Sequence, residues 1–118
     1  MSAREMTMAE ALRDAMRVAM HKDPKVFLIG EDIGIPGGFG GGFTVTLGLS
    51  DEFGHERVMD TPLSEIAIIG ASVGAAMVGM RPVAEMQYGD FVFCGMDQVI
   101  NQVAKMRYMS NGQVSVPM

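Results

Sequence analysis

Residues 25–34 read KVFLIGEDIG, and the fold turns on them. Val26-Phe27-Leu28-Ile29 is apolar without alternation. A strand with one wet face alternates apolar and polar; a strand covered on both faces does not. Such a run is the mark of a parallel sheet between helical layers. The strand ends at Gly30. An acidic pair follows, Glu31 and Asp32, and then a loop carrying Gly34, Gly37, Gly38, Gly40, Gly41 and Gly42.

Upstream of that strand, Thr7 and Glu10 fit a capping box, T-x-x-E. Met8, Leu12, Ala15, Met16 and Ala19 recur at helical spacing until Asp23-Pro24 stops the run. Downstream, Leu49 to Phe53 reads as a short helix closed by Gly54. Val58-Met59 belongs to a second strand. Thr61 is the expected N-cap of a second long helix, with Pro62 at its first position and an end near Gly79. Pro82 to Gln87 is the expected third strand. A third long helix is expected from Phe91 to about Ser110, ended by Asn111-Gly112. Val114 to Val116 begins an expected fourth strand, in which the chain stops; it reads as the front part of a longer protein. The alternation predicts an α/β fold, a parallel sheet with helices on both faces.

The 118 residues fit one domain. With 9 basic and 14 acidic side chains the net charge is 9 − 14 = −5. An acidic chain has no general pull toward nucleic acid or anionic lipid, so neither is expected as a partner. At 48% hydrophobic and 19% charged the chain is not of the disordered class. Cys94 has no second cysteine to pair with, and His21 and His55 stand apart from it, which argues against a zinc cluster. The start, MSAREMTMAEALRDAM, lacks the apolar core of a signal peptide. The longest apolar run, residues 66–80, falls short of the roughly 20 residues of a membrane span. A soluble, reducing, cytoplasmic setting is the expectation. Some of the 13 methionines, being adaptable, are expected on a partner surface.

Parallel strands all exit at one edge, and ligands bind in the crevice outside their carboxyl ends. That edge collects Glu31, Asp32, the glycine loop, Glu65, Gln87, Tyr88, Asp90 and Phe91. Glu65 lies in the first turn of an almost wholly apolar helix. The plain reading is a carboxylate favoured by the helix dipole. The functional one is an acid in an apolar crevice, where burial favours protonation and suits proton exchange with a ring nitrogen. Phe91 is either a core aromatic or a flat wall for a heterocycle. The glycine loop is not a phosphate cradle: no G-x-G-x-x-G follows the first strand and no G-K-[ST] is present. Glu31 and Asp32 read as solvated or structural acids, with a minor part in proton traffic left open. Gly70 and Gly74, with Ala71, Ala75 and Ala76, allow close approach of the second long helix to its own sheet or to a partner subunit.

GEDIG (30–34), GLSDEFG (48–54), RVMDTPLSE (57–65), GASVGAAMVGMRPVAEMQYGDF (70–91) and DQVINQVAKMRYMSNGQVSVPM (97–118) resemble the beta subunits of thiamine-diphosphate-dependent 2-oxo acid dehydrogenases. The resemblance runs from about Thr7 to Met118. It implies a transketolase-like pyrimidine-binding domain, truncated here and lacking the C-terminal transketolase domain. It implies an alpha subunit partner in an α2β2 heterotetramer, with the cofactor shared and Mg2+ held by the alpha subunit. It implies oxidative decarboxylation of a small 2-oxo acid, pyruvate-like or branched-chain, or cleavage of acetoin. The acyl group would pass to a lipoyl-bearing acyltransferase component. The family's catalytic glutamate maps onto Glu65, which would hydrogen-bond the aminopyrimidine ring nitrogen. Its pyrimidine-stacking aromatic maps onto Phe91, and Gln87 and Tyr88 share that cofactor-facing stretch. The backbone carbonyl of Met118 maps near a potassium site. The isolated chain, carrying half of one cofactor site, is expected to be inactive. Two other functions stay open: a non-catalytic interaction module that keeps the fold, and another transketolase-like enzyme such as deoxyxylulose-phosphate synthase.

Overall fold

A computed structural model describes residues 5–118; the first four residues of the charged start lie outside it. Helix α1 spans Met8–Lys22, with the Thr7–Glu10 capping box fully formed and the chain leaving at Asp23. Strand β1 spans Val26–Glu31, β2 Val58–Thr61 and β3 Arg81–Ala84. They form one parallel sheet in the order β2-β1-β3, so the apolar run is the central strand, as its pattern requires. Helix α2 spans Leu49–Phe53 and closes on Gly54 at φ 79°; α3 spans Glu65–Met77.

Successive side chains of a strand face opposite sides. Val26 and Leu28 of β1 join Val58 of β2 in a core with Met20 of α1, Leu49 of α2 and Ile33. On the other side Ile29 lines a small apolar cavity together with Ala67, Ile68 and Ala71 of α3, which packs on that face. Helices therefore cover both faces. Arg57 joins the layers at the foot of the sheet. Its guanidinium donates to the carbonyls of Val26, Met20 and Asp23, which include carbonyls that the end of α1 leaves without partners. It also lies 5.5 Å over the Phe53 ring.

Four expectations are corrected. Thr61 is not the N-cap of α3: it is the last residue of β2, paired with Glu31 of β1, so the chain needs residues 62–64 to turn and the helix starts at Glu65 behind Ser64. The third strand stops at Ala84. Its last tie to β1 is the Glu85 N–H to the Ile29 carbonyl, after which β1 continues only beside β2. The expected third long helix is three short pieces: a 3₁₀ turn over Gly89–Gly95, a π-helical turn over Gln98–Val103 and α4 over Met106–Met109. Gly89, Phe91, Val92, Phe93 and Gly95 are poor helix formers, so packing on α3 rather than propensity sets the local pitch. The fourth strand is absent among the described residues. Val114 N–H is taken by Ser110 Oγ, and Met118 N–H by the Val116 carbonyl, leaving the segment tied to itself. No helix there is long and apolar enough to cross a membrane.

Candidate functional site: an acidic crevice with an aromatic wall

β1 and β2 deliver their last residues, Glu31 and Thr61, side by side at the carboxyl edge of the sheet. The turn after β1 is fixed there, because the Asp60 carboxylate accepts the N–H groups of Ile33 and Gly34 at 2.9 and 3.3 Å. Three residues beyond Thr61, α3 begins, which places Glu65 at its first position, half-buried. The Glu31 carboxyl is held above its ordinary 4.5. Partial desolvation is the main cause, followed by the charges of Asp32, Glu65 and Asp60. Glu65 thus lies within electrostatic reach of the end of β1. Glu31 therefore carries the influence of the carboxylates gathered at this edge.

Glu85 extends the cluster at the end of β3. Its carboxyl is also raised, by burial first and then by Glu31. One of its oxygens is buried without a hydrogen-bond partner. It is the ionisable group in a cavity of about 390 Å3, otherwise lined mainly by apolar side chains including Leu12, Met16, Leu28, Val45 and Val83. An acid with a raised folded pKa is destabilising when ionised. Between 4.5 and that higher value the folded chain binds more protons, so stability falls as pH rises through the window. Glu85→Gln is therefore expected to raise stability at pH 8, by up to about 1 kcal/mol given partial screening, and to bring no gain below pH 4.5. Urea midpoints at the two pH values check this. Glu52 slopes the other way. Arg17 and His21, at 2.8 and 2.7 Å, hold it below 4.5, a contribution lost only as pH falls through its lowered value.

The aromatic side is built by packing. The 3₁₀ turn that carries Phe91 lies on the first turns of α3 at Gly95. A Cβ there would sit 3.1 Å from the Glu65 carbonyl oxygen and 2.5 Å from Ile69 Cδ1. The missing side chain is what seats the Phe91 segment against the Glu65 turn. Phe91 is 42% exposed and Tyr88 45%, with ring centroids 6.5 Å apart. Phe43 of the glycine loop meets Tyr88 edge-on at 5.3 Å. Gln87 does not point its carboxamide into open space: Oε1 accepts the Gly42 N–H at 2.7 Å.

The loop is tightly folded. Gly37 N–H goes to Asp51, Gly38 N–H to the Ile35 carbonyl and Gly41 N–H to the Asp32 carbonyl. With Gly42 on Gln87, four of the loop's glycine N–H groups are already engaged. Gly40 has φ 72°, and a Cβ on it would fall onto the backbone of Leu47. The Met118 N–H bonds the Val116 carbonyl. A larger concavity, about 780 Å3 along Ala104, Arg107, Tyr108 and Met109, has no residue in common with the crevice.

The transketolase pyrimidine-binding domain family matches residues 4–118. The chain belongs to that family. Among proteins similar to this pyrimidine-binding domain is the 2-oxoisovalerate dehydrogenase subunit beta of Bacillus subtilis (strain 168), 50% identical over 112 residues, or 95% of this chain and 33% of that protein. The acetoin:2,6-dichlorophenolindophenol oxidoreductase subunit beta of the same organism is 47% identical over 98% of this chain and 36% of its own length. The pyruvate dehydrogenase E1 component subunit beta of Leifsonia xyli is 50% identical over 93% and 32%. This pyrimidine-binding domain spans about a third of the length of the curated relatives it matches. Sequence reasoning singled out Glu65 and Phe91, and the structure brings their segments together at this edge. It missed Phe43, Glu85, Asp60 and Gly95; a glycine within an expected helix was the one signal for the last.

Proposed function

We propose that this domain supplies the aminopyrimidine side of a thiamine diphosphate site, as part of a 2-oxo acid dehydrogenase beta subunit. One observation carries the reading. The Phe91 turn is seated, through Gly95, on the helix start that bears Glu65, with further carboxylates at the same sheet edge. An acid beside an exposed aromatic face suits a protonatable heterocycle.

The residues fit one end of the cofactor. Phe91 offers a wall for the ring, Glu65 a carboxylate that holds or returns a proton at a ring nitrogen, and Glu31 a neighbouring acid of raised proton affinity. The glycine loop does not suit the diphosphate, since the N–H groups of Gly37, Gly38, Gly41 and Gly42 are engaged within the chain. The diphosphate, with its Mg2+, is therefore assigned to an alpha subunit, in an α2β2 assembly. Thiamine diphosphate, when bound, supplies the electron sink for decarboxylating a 2-oxo acid. Passage of the acyl group to a lipoyl-bearing component, a potassium ion at the Met118 carbonyl and a cytoplasmic setting belong to the same reading.

Calorimetry of the chain, the alpha subunit and their mixture with thiamine diphosphate tests it. The mixture is expected to bind tightly and the chain alone weakly, with Phe91→Ala costing about tenfold, on the scale of an aromatic stacking contact. Assembly with the alpha subunit in which Phe91→Ala leaves cofactor affinity unchanged would instead mark a non-catalytic interaction module.

A further inference from the structure

Ile33 and Gly34 form the turn by which the chain leaves β1, and every polar backbone group of the pair is bonded to a side chain. One oxygen of Asp60 accepts both N–H groups, at 2.9 and 3.3 Å. The Thr46 hydroxyl donates to the Ile33 carbonyl at 3.3 Å and the Ser50 hydroxyl to the Gly34 carbonyl at 2.7 Å, both buried. The turn is pressed against β2: a Cβ on Gly34 would lie 2.6 Å from the Val58 carbonyl oxygen and 2.9 Å from the Asp60 nitrogen. Asp32, just before the pair, takes φ 55°, in the left-handed region that few residues other than glycine enter. Such a conformation persists where the surroundings over-determine it, and here they do. Asp60 differs from Thr46 and Ser50 in two ways. It carries a charge, and it lies on the strand that leads to Glu65. It pairs with Gly30, one rung before Glu31 and Thr61. β3 has ended by that rung, so Glu31 is paired on one side only. A last rung held by one ladder frays unless the chain beyond it is tied down.

We propose that Asp60 is a positioning residue of the crevice: it ties down the exit of β1, so that Glu31 stays on its rung within reach of the Glu65 charge, and it sets a fixed negative charge beside Glu31. The proposal rests on the reaction assigned above. Asp60 acts through the turn and on Glu31, its carboxylate being engaged by backbone N–H groups. Glu31 is faced by acids from every element around it: Asp32 in its own turn, Asp60 on β2 and Glu65 on α3, each of which favours its protonated form, while Glu85 after β3 is coupled to it in turn. Bond and charge are separable parts of the role, because an amide in place of the carboxylate keeps the first and loses the second.

The first measurements use the chain itself. In Asp60→Asn, hydrogen exchange at the Ile33 and Gly34 amides is expected to stay within about threefold of wild type, since an acceptor oxygen remains. The Glu31 carboxyl titration is expected to move down toward its ordinary value. Asp60→Ala loses the acceptor as well, and exchange at those two amides is expected to rise about tenfold or more, the scale of a lost hydrogen bond to a charged group. Unchanged exchange in the alanine variant would overturn the clamp. An unmoved Glu31 titration in the asparagine variant would overturn the part played by the charge. Should the alanine chain not fold, Asp60→Glu gives the same comparison, because its longer stem keeps the charge but moves the oxygen off the turn. The second measurement uses the complex with its alpha subunit. Asp60→Ala is expected to lower kcat about tenfold or more with thiamine diphosphate affinity held within about threefold, and Asp60→Asn to recover most of that loss. Full kcat in the alanine variant would overturn the positioning role in the reaction. A wild-type complex that binds thiamine diphosphate but turns over no 2-oxo acid would condemn the assigned reaction, while the exchange and titration results would still decide the clamp and the charge.

Discussion

Replacing Arg57 by alanine is expected to cost about 3 kcal/mol, the largest stability loss from any single polar side chain among the described residues. The side chain makes four hydrogen bonds to three carbonyls: Met20 and Asp23 at the end of α1, and Val26 at the start of β1. These oxygens are partly buried, and alanine offers them no donor. Their desolvation would go uncompensated. The contact of the guanidinium with the Phe53 ring is lost as well. Arg57 also sits at the foot of the sheet, where its carbonyl accepts the Leu28 N–H at 2.8 Å, so its displacement would loosen the first rung between β1 and β2. Lysine should recover less than half of the loss. A single ammonium on a flexible stem cannot serve carbonyls that a planar fork reaches in different directions. For a domain of this size the alanine variant is expected to melt about 10 °C lower. The urea midpoint should fall with an unchanged slope, which would report lost stability and not a change in the denatured state. A loss below 1 kcal/mol would mean that water replaces the guanidinium at those carbonyls.

Arg57 also shows why the fold was partly legible in the sequence. The apolar run at Val26–Ile29 could only be a covered central strand, and the Thr7–Glu10 pair could only start a helix, because both signals are local. The start of α3 was misplaced by local reasoning. Thr61-Pro62 is a good cap signal, but the ladder with Glu31 claims Thr61, and pairing across the sheet prevails over a single cap bond. The Phe91–Ser110 region failed for the same kind of reason: its apolar spacing suits a helix, while contact with α3 breaks the pitch into short turns. At the candidate site, Glu65 and Phe91 were singled out through motif resemblance and element order. Phe43 was hidden because its place depends on a hydrogen bond between Gly42 and Gln87, 45 residues apart in the chain. No periodicity encodes that. The glycines of the loop showed that something unusual was required of the backbone, but only the positive φ at Gly40 and the crowding at Gly42 show what it was.

Glu65→Gln is expected to cut turnover in the reconstituted complex by at least about 10², equivalent to about 2.7 kcal/mol of transition-state stabilisation. Glutamine has nearly the same shape and remains a hydrogen-bonding group. The seat of the Phe91 turn on the Glu65 carbonyl is a backbone contact and should survive, so cofactor affinity is expected to change far less than turnover. What is lost is the carboxylate, the only group at that position able to accept and return a proton. Aspartate keeps the charge but stands one methylene short, and should recover activity only in part. A second readout separates this role from general damage. The charge of Glu65 helps to raise the pKa of Glu31. Removing it should therefore move the Glu31 titration downward, toward its ordinary value, in a carboxyl-resolved NMR titration of the chain. A variant that folds, lowers the Glu31 titration and still turns over at nearly the wild-type rate would show that the acid at position 65 is electrostatically coupled to the sheet edge but takes no part in proton transfer. The assignment of the site would then fall.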